Sequence, residues 1–286
     1  MTTTHARPAA APERPPHSRT RRPRRTGGLP AVLVLPALAG LAFLVVPLAG
    51  LVLEAPWGTL LDRLAEPAVF EALQLSVIAA SAATVVCLVC GVPLAWLLAR
   101  GQLPGLRFVR ALVTVPLVLP PVVGGVALLL VLGRNGVIGR YLEAWFGFSL
   151  PFTTAGVIVA EAFVAMPFLV IAVDGALRGA DRRYEDAAAT LGASRWVTFR
   201  RVTLPLVAPG IAAGAVLCWA RALGEFGATI TFAGNFPGET QTMPLAVYLA
   251  LETDPEAAIV LSLVLFAVSV IVLASLRDKW ISPNAA

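Results

Sequence analysis

Lysine, histidine and cysteine are scarce in this chain of 286 residues. Lys279 is the single lysine among the 22 basic residues, and Asp278 precedes it. A Walker A loop needs Gly-Lys-Ser/Thr because its lysine reaches the β- and γ-phosphates, so the sequence contains no such nucleotide-binding loop. The two histidines, His5 and His17, have no ligand partners nearby, and no Ser-His or Cys-His set exists beyond the N-terminal segment. We therefore predict no catalytic residue, no metal site and no cofactor bound by the chain itself.

The three cysteines do not suggest redox or metal chemistry. Cys87 and Cys90 form a C-x-x-C, but both lie within an apolar run, and Cys218 is the third cysteine. Inside such a run, cysteine commonly acts as a small buried apolar side chain, which is the prediction for this pair.

Charge is also scarce, and long apolar runs take its place. Only 14% of the residues are charged and 58% are hydrophobic, with a mean hydropathy of +0.81. This composition is too apolar for a soluble domain and is typical of a protein that crosses the membrane several times. The net charge of +5 does not indicate nucleic acid as a partner, because the arginines lie between the apolar runs, as membrane topology requires.

Six apolar runs reach the ~20 residues that a membrane helix needs. An all-α membrane protein with six transmembrane helices is therefore predicted, at residues 29–53, 72–99, 111–132, 155–173, 207–233 and 257–276.

The segment 1–28 precedes the first run, has seven arginines and five prolines, and lacks apolar periodicity. We predict that it is a disordered cytoplasmic tail. Its paired arginines, Arg21-Arg22 and Arg24-Arg25, are typical of a twin-arginine export signal. The apolar run that follows, residues 29–53, is much longer than a cleavable core of about 7–15 residues, so a retained first helix is predicted.

Arginine placement predicts the orientation of the chain. Eighteen basic residues lie in the tail, in the 100–110 link, in the 174–205 loop and after the last run, whereas the alternate loops have only Arg63, Arg134 and Arg140. Cytoplasmic loops of membrane proteins are enriched in Arg and Lys. Both termini and the 174–205 loop are therefore predicted to be cytoplasmic.

The charged segment 181–205 has the pattern of two short helices. Asp181 can cap a helix whose first turn holds acidic residues, since negative charge is favourable at a helix N-terminus. Gly192 suits the left-handed residue that closes such a helix, and Ser194 can begin the next one. Leu204-Pro205 is predicted to end the segment, because a residue before proline avoids helical geometry. Composition alone leaves open whether this is simply a surface loop between membrane helices.

The spacing within this segment resembles the cytoplasmic EAA loop of ABC-importer permeases. That loop reads Glu-Ala-Ala, three residues, Gly, nine residues, Ile-x-Leu-Pro, and here Asp186 replaces the glutamate and Val202 the isoleucine. The resemblance implies a coupling helix that docks on a separate ATPase subunit. Its docking residues would be Glu185, Asp186, Ala187, Ala188, Leu191, Gly192, Leu204 and Pro205.

Adjacent prolines interrupt the third apolar run. Pro120 and Pro121, followed by Gly124-Gly125, are predicted to break or kink the helix, and the freed backbone groups then need neighbouring helices or a cavity. A bend that lines a translocation pathway and a bend that serves only packing are both compatible with this pattern.

Three charged residues lie within the predicted membrane helices: Glu161, Arg221 and Glu225. Each costs about 2.5–3.5 kcal/mol at a helix centre, so each should face protein or water. Arg221 and Glu225 are four residues apart and share a helix face. They either form a structural brace or line an anion path, and we favour a brace near the path, which a pairing of Glu161 with Arg221 would fit.

The sequence around that pair offers small and neutral polar groups. Gly224 and Gly227 allow helices to approach closely, and Thr229, Thr231 and Asn235 can hydrogen-bond an oxyanion without trapping it. With both prolines, the predicted path or gate residues are Arg221, Gly224, Glu225, Gly227, Thr229, Thr231, Asn235, Pro120 and Pro121.

The run R-A-L-G-E-F-G-A-T-I-T-F-A-G-N-x-P-G-E-T-Q-T-x-P-L, from Arg221 to Leu245, closely resembles molybdate ABC-transporter permeases. Sulfate permeases share the shorter A-R-A-x-G-E-F-G part. The resemblance covers about residues 72–279 and implies the type I ABC-importer permease fold, with a core at 72–277; the first helix fits it less diagnostically.

The resemblance further implies import of molybdate or tungstate by alternating access across the cytoplasmic membrane of a prokaryote. It implies a homodimer in membrane lipid, two ATP-binding cassette ATPase subunits that use ATP and Mg, and an extracytoplasmic molybdate-binding protein.

A sulfate or thiosulfate permease is the alternative function. An ion-coupled secondary transporter is less favoured, because no second copy of the broken-helix patterns indicates inverted repeats. A membrane enzyme or scaffold is disfavoured by the lack of a clustered catalytic set.

Overall fold

The computed structural model describes residues 31–101 and 104–281, and within these ranges all regular structure is helical. A π-helical turn, Phe199–Thr203, joins α9 to α10. In chain order the α-helices are α1 (Ala31–Leu53), α2 (Leu60–Leu64), α3 (Pro67–Arg100), α4 (Leu106–Val118), α5 (Pro121–Leu132), α6 (Gly139–Phe146), α7 (Thr154–Gly179), α8 (Arg183–Thr190), α9 (Arg195–Thr198), α10 (Leu204–Leu223), α11 (Gly227–Phe232), α12 (Met243–Thr253) and α13 (Pro255–Ile281). The predicted tail, 1–28, lies outside the described residues.

Five helical segments of the described chain are long and apolar enough to cross a membrane, and α4 with α5 makes a sixth if the bent pair is one span. The all-α fold is thus confirmed, with five apolar spans in the described residues, or six when α4 and α5 count as one. α1, taken by itself, has 23 residues and includes Pro36 and Pro47, and it is about 35 Å long, enough for a bilayer core. The helices α3, α7 and α13 extend beyond the predicted runs.

Pro120 and Pro121 break the third apolar run, as predicted. The direction of the chain bends by 118° between α4 and α5. Pro120 has an extended backbone, with φ −53° and ψ 132°, and Pro121 is the first residue of α5, where a missing N–H removes no helical hydrogen bond. The prolines therefore end one helix and begin the next.

The fifth apolar run, predicted as one helix over 207–233, is instead broken after α10. Gly224 and Gly227 are weak helix formers and flank the break. One carboxylate oxygen of Glu225 accepts a hydrogen bond of 2.7 Å from the backbone N–H of Ala228, in the first turn of α11. The first N–H groups of a helix have no partner within the helix. Glu225 provides a partner for the N–H of Ala228, which favours the start of a new helix here.

The prediction that Leu204-Pro205 ends the charged segment is wrong. Leu204 has helical angles, φ −59° and ψ −48°, and the helix continues from Arg195 to Leu223. A proline inside a helix removes a hydrogen bond and crowds the carbonyl four residues before it. The π turn directly upstream changes that hydrogen-bonding pattern, which lets the helix pass through the proline.

Small residues let helices approach closely in the core of the compact unit that starts at Ala49. Ala80 and Ala83 of α3 are fully buried, in a cluster shared with α7 and α10. A Cβ placed on Gly214 of α10 would lie 3.0 Å from the Cβ of Ala172 on α7. Close approach of backbones through small residues is how membrane helices pack, since lipid offers no hydrophobic drive for them to associate.

The C-x-x-C pair is split between two environments. Cys87 is buried near Cys218, and its thiol donates to the carbonyl of Ala162 at 3.5 Å, as expected for a small core side chain. Cys90 is exposed, so the prediction of burial is wrong for this residue.

Three short helices that the sequence analysis does not predict, α2, α6 and α12, lie in the loops between spans. Arg63 of α2 forms ion pairs with Asp254, directly after α12, and with Glu256 of α13. The pairs connect the start of the 49–286 unit to its last two helices.

We expect the Arg63–Asp254 ion pair to remain intact in mildly acidic solution. The hydrogen bond from Arg63 holds the pKa of Asp254 below its ordinary value. The pair therefore contributes stability above the unfolded pKa of about 3.9 and loses it as the pH falls through the lower folded value. Amide hydrogen exchange in α2, corrected for intrinsic rates, should stay constant from about pH 7 to about pH 5 and rise only below about pH 4.

Asp254→Asn should raise exchange in α2 already at neutral pH. Glu252→Gln is the matched control, because Glu252 is an exposed carboxylate on α12 with no ion pair among the described residues. A rise in wild-type exchange above pH 5 would contradict the lowered pKa.

Candidate functional site

The predicted functional residues lie in two separate groups. The docking segment, residues 181–205, comprises α8, α9 and the π turn. The broken-helix site comprises the break between α4 and α5, the break between α10 and α11, and the ion pair Arg221–Glu225.

Local sequence signals account for the shape of the docking segment. Glu185 and Asp186 lie in the first turn of α8. Asp181 is two residues before the helix, and its carboxylate accepts a hydrogen bond of 3.0 Å from the N–H of Arg183. Gly192 has a left-handed backbone with φ +83°, and the Ser194 hydroxyl caps α9 by accepting from Val197. The predicted turn and second helix start are confirmed.

The docking segment exposes apolar side chains. α8 has no buried residue, Leu191 is 88% exposed, and Tyr184 and Trp196 are also exposed. Clustered large apolar side chains on a protein surface mark an interaction site. This chain alone therefore leaves the apolar side chains of the segment uncovered.

An ion pair connects the docking segment to the transmembrane core, and the sequence analysis missed it. The guanidinium of Arg100, at the end of α3, lies 3.1 Å from a carboxylate oxygen of Glu185, and the Thr203 hydroxyl donates to the same oxygen at 3.1 Å. The Arg100 side chain is only 9% exposed. α8 is thus tied both to α3 and to the π turn.

Glu185→Ala should loosen α8 without unfolding the core. The variant removes both contacts, and hydrogen bonds to charged groups are worth about 1.5–3 kcal/mol, so amide exchange in α8 should quicken about tenfold to a hundredfold. Thr203→Val removes only one contact and should give a smaller increase. Equal exchange in wild type and Glu185→Ala would show that the tie does not hold α8.

In the broken-helix site the two breaks pack against each other. A Cβ on Gly227 would lie 3.0 Å from the Cβ of Pro121 and 3.1 Å from the backbone nitrogen of Val122. A Cβ on Gly125 would lie 2.7 Å from the Cβ of Thr231. Because only hydrogen fits at these contacts, α5 and α11 are held backbone against backbone.

Arg221 and Glu225 form an ion pair of 2.6 Å beside these breaks. The Glu225 side chain is 1% exposed and the Arg221 side chain 26%. Since one oxygen of Glu225 accepts from α11 and the other faces Arg221, this carboxylate joins α10 to α11. The geometry supports the predicted brace.

The suggested pairing of Glu161 with Arg221 is not present. Glu161 of α7 is buried, and its Oε2 has no hydrogen-bond partner among the described residues. Arg221 instead pairs with Glu225, four residues later in the same chain segment. The site therefore holds two buried carboxylates and one arginine.

The remaining predicted path residues differ in accessibility. Pro120 and Gly224 are exposed, whereas Thr229 is fully buried and its hydroxyl has no partner in the described chain. Thr231 donates to the carbonyl of Gly227 at 2.8 Å. Asn235 follows α11, in the loop toward α12. The accessible parts of this site are therefore Pro120, Gly224 and part of Arg221, whereas both carboxylates are buried.

Comparison with known proteins gives one family and consistent relatives. Residues 91–285 match the family model described as "Binding-protein-dependent transport system inner membrane component". The "Molybdenum transport system permease protein ModB" of Mycobacterium tuberculosis is 50% identical over 244 residues, which is 85% of this chain and 92% of that protein.

A second relative and a solved structure extend the comparison. The "Sulfate transport system permease protein CysT" of Salmonella typhimurium is 37% identical over 238 residues, covering 82% of this chain and 86% of that protein. The fold matches a chain of a bacterial alginate ABC transporter crystallised with an alginate pentasaccharide-bound periplasmic protein. That match has a TM-score of 0.66 and 19% identity, and covers 88% of this chain and 93% of the other.

Proposed function

This chain belongs to the family of binding-protein-dependent transport system inner membrane components, and on that premise we propose that it is the permease subunit of an ATP-driven molybdate importer. The observation that carries the proposal is the 50% identity to a molybdenum permease. That alignment, at 244 residues, is long enough to include both the docking segment and the broken-helix site. We place the importer in the cytoplasmic membrane of a prokaryote, with both termini and the docking segment on the cytoplasmic side.

Sulfate is the second candidate substrate, and tungstate shares the chemistry of molybdate. All three are tetrahedral dianions, so a path lined by small and neutral polar groups can pass any of them. Molybdate is preferred because identity to the sulfate permease falls to 37%. Identity to the molybdenum permease is 50%.

The exposed docking segment supports the proposed partners. We infer that Leu191, Gly192 and the alanines of α8 dock on an ATPase subunit, which supplies the ATP- and Mg-dependent chemistry that this chain lacks. Two copies of the chain would pair with two ATPase subunits and one extracytoplasmic binding protein.

We propose a transport cycle in which contacts within this chain pass on the movement of the ATPase subunits. Closure of the ATPase subunits on ATP would draw the two docking segments together. The Arg100–Glu185–Thr203 contacts would pass this movement to α3 and to the continuous α9–α10 helix. The bundle would then open outward, accept the oxyanion from the binding protein, and return inward-open after hydrolysis.

Uptake of labelled molybdate and labelled sulfate by the reconstituted complex tests the proposal. Uptake should stop when ATP is depleted, should persist when a protonophore collapses the proton gradient, and should favour molybdate. A preference for sulfate would support the second candidate. Uptake that needs the gradient and continues without ATP would identify a secondary transporter.

A further inference from the structure

A polar cleft and an apolar groove meet at the end of α3 near Arg100, apart from the broken-helix site. The cleft, of about 600 Å³, is called the arginine cleft here, and its charged lining residues are Arg100, Arg182, Arg195, Glu185 and Asp186. The aromatic groove, of about 290 Å³, is lined by Pro93, Trp96, Arg195, Trp196 and Phe199. Trp96, Arg195 and Phe199 line both, so the two chambers are adjacent.

The arginine cleft has unneutralised positive charge. The carboxylate of Glu185 already forms an ion pair with Arg100. Arg182 and Arg195 make no ion pair among the described residues, and Asp186 is the one remaining acid in the lining. Guanidinium groups bind phosphate oxygens through paired hydrogen bonds, so two free arginines facing one cleft form a phosphate-binding arrangement.

The apolar part of α3 ends beside the aromatic groove, which would put the groove at the level where headgroups meet hydrocarbon when α3 spans a membrane. Trp96 precedes Arg100 by four residues, which is about 6 Å along α3, at the point where the apolar part of that helix ends. The rings of Trp96 and Phe199 have centroids 6.0 Å apart, and those of Phe199 and Trp196 5.8 Å. Tryptophan is enriched at this level because its ring has an apolar body and a polar N–H.

We propose that the arginine cleft and the aromatic groove together bind one anionic phospholipid. The phosphate lies between Arg182 and Arg195, and an acyl chain follows Trp96 and Phe199 into the hydrocarbon. A free oxyanion would use only the cleft, whereas the acyl chain of a phospholipid would also fill the apolar groove beside it. Basic pockets at the ends of membrane helices bind anionic headgroups in this way. The inference requires only that the chain lies in a membrane, not that it carries molybdate.

Lipid retention by the full-length chain tests this site. The chain is placed in vesicles of phosphatidylcholine and phosphatidylglycerol at a ratio of four to one, extracted, and analysed for bound lipid by native mass spectrometry. Wild type should retain phosphatidylglycerol in preference to phosphatidylcholine. Each arginine near an anionic surface strengthens binding about fivefold, so R182Q/R195Q should weaken phosphatidylglycerol binding about 25-fold.

R200Q/R201Q is the matched control, because these two exposed arginines lie in the same segment and outside both chambers. It should change phosphatidylglycerol retention less than about twofold, far below the loss expected at lining positions. Trp196→Gln should weaken retention of both lipids by disturbing the groove while leaving the charge unchanged.

Four results would overturn the proposal. Equal retention of the two lipids would show no anionic site, and equal losses in both double variants would show a general effect of charge. Displacement of phosphatidylglycerol by millimolar inorganic phosphate or molybdate would assign the cleft to free oxyanions. Unchanged lipid retention in R182Q/R195Q, with loss of a co-purifying ATPase subunit, would make the cleft part of the protein interface.

Discussion

Arg221→Gln is expected to lower the free energy of unfolding by about 3–5 kcal/mol. The variant leaves Glu225 buried and charged with no cationic partner, which is the costly way to break a buried ion pair. Chemical or thermal unfolding of the purified protein in detergent measures this loss.

Glu225→Gln should cost less than Arg221→Gln, because Arg221 is partly accessible to water and the amide oxygen can still accept from Ala228. The double variant R221Q/E225Q should regain most of the stability, since it leaves no unpaired charge. Its transport then distinguishes the two roles. Restored uptake identifies a brace, whereas a stable protein without uptake means that the charges act on the solute. A stable R221Q single variant would contradict the energetic argument.

Gly192→Leu should reduce ATP-driven uptake by about tenfold or more while leaving membrane insertion intact. A bulky side chain at an interface that has no room for it costs about 1–3 kcal/mol, which corresponds to this range. A Cβ on Gly192 meets nothing within 4 Å in the described part of this chain, so a clash of that carbon would come from a partner. Uptake by proteoliposomes, together with the ATPase activity of the complex, measures the uncoupling.

Gly105→Leu controls for the backbone strain in that experiment. Gly105, at the start of α4, also has a left-handed backbone, with φ +86°, and open space around its Cβ position. Both substitutions pay a similar conformational cost, about 1–2 kcal/mol, so the difference between them isolates docking. If both variants lose uptake equally, strain explains the effect and Gly192 has no special place in docking.

Features that depend on local chemistry could be predicted from the sequence. Backbone groups in lipid must bond within their own segment, so apolar runs of sufficient length become helices, as in α1, α3, α7 and α13. The break at Pro120-Pro121 follows from a missing N–H and a fixed φ. Gly192 and Ser194 were identifiable because a left-handed turn and a helix cap need few residue types.

Features that depend on distant residues could not be predicted. Arg100 and Glu185 are 85 residues apart, and nothing in either neighbourhood indicates the pairing. The start of α12 depends on the Ser76 hydroxyl, which accepts a hydrogen bond of 2.7 Å from the N–H of Met243. The break at Gly224 was missed because the apolar run continues through it, although the two glycines and the bond from Ala228 to Glu225 that favour the break are local.

The π turn at Phe199–Thr203 determines where the continuous helix from Arg195 to Leu223 can lose a residue without rotating its two ends against each other. A π turn contains one residue more than the α-helical turn in its place. Loss of one residue within it would therefore leave the angular phase of the flanking helices unchanged. The same deletion elsewhere would rotate one part of the helix against the other by about 100°. Between Phe199 and Thr203, helix length can change without turning Trp196 away from its present direction.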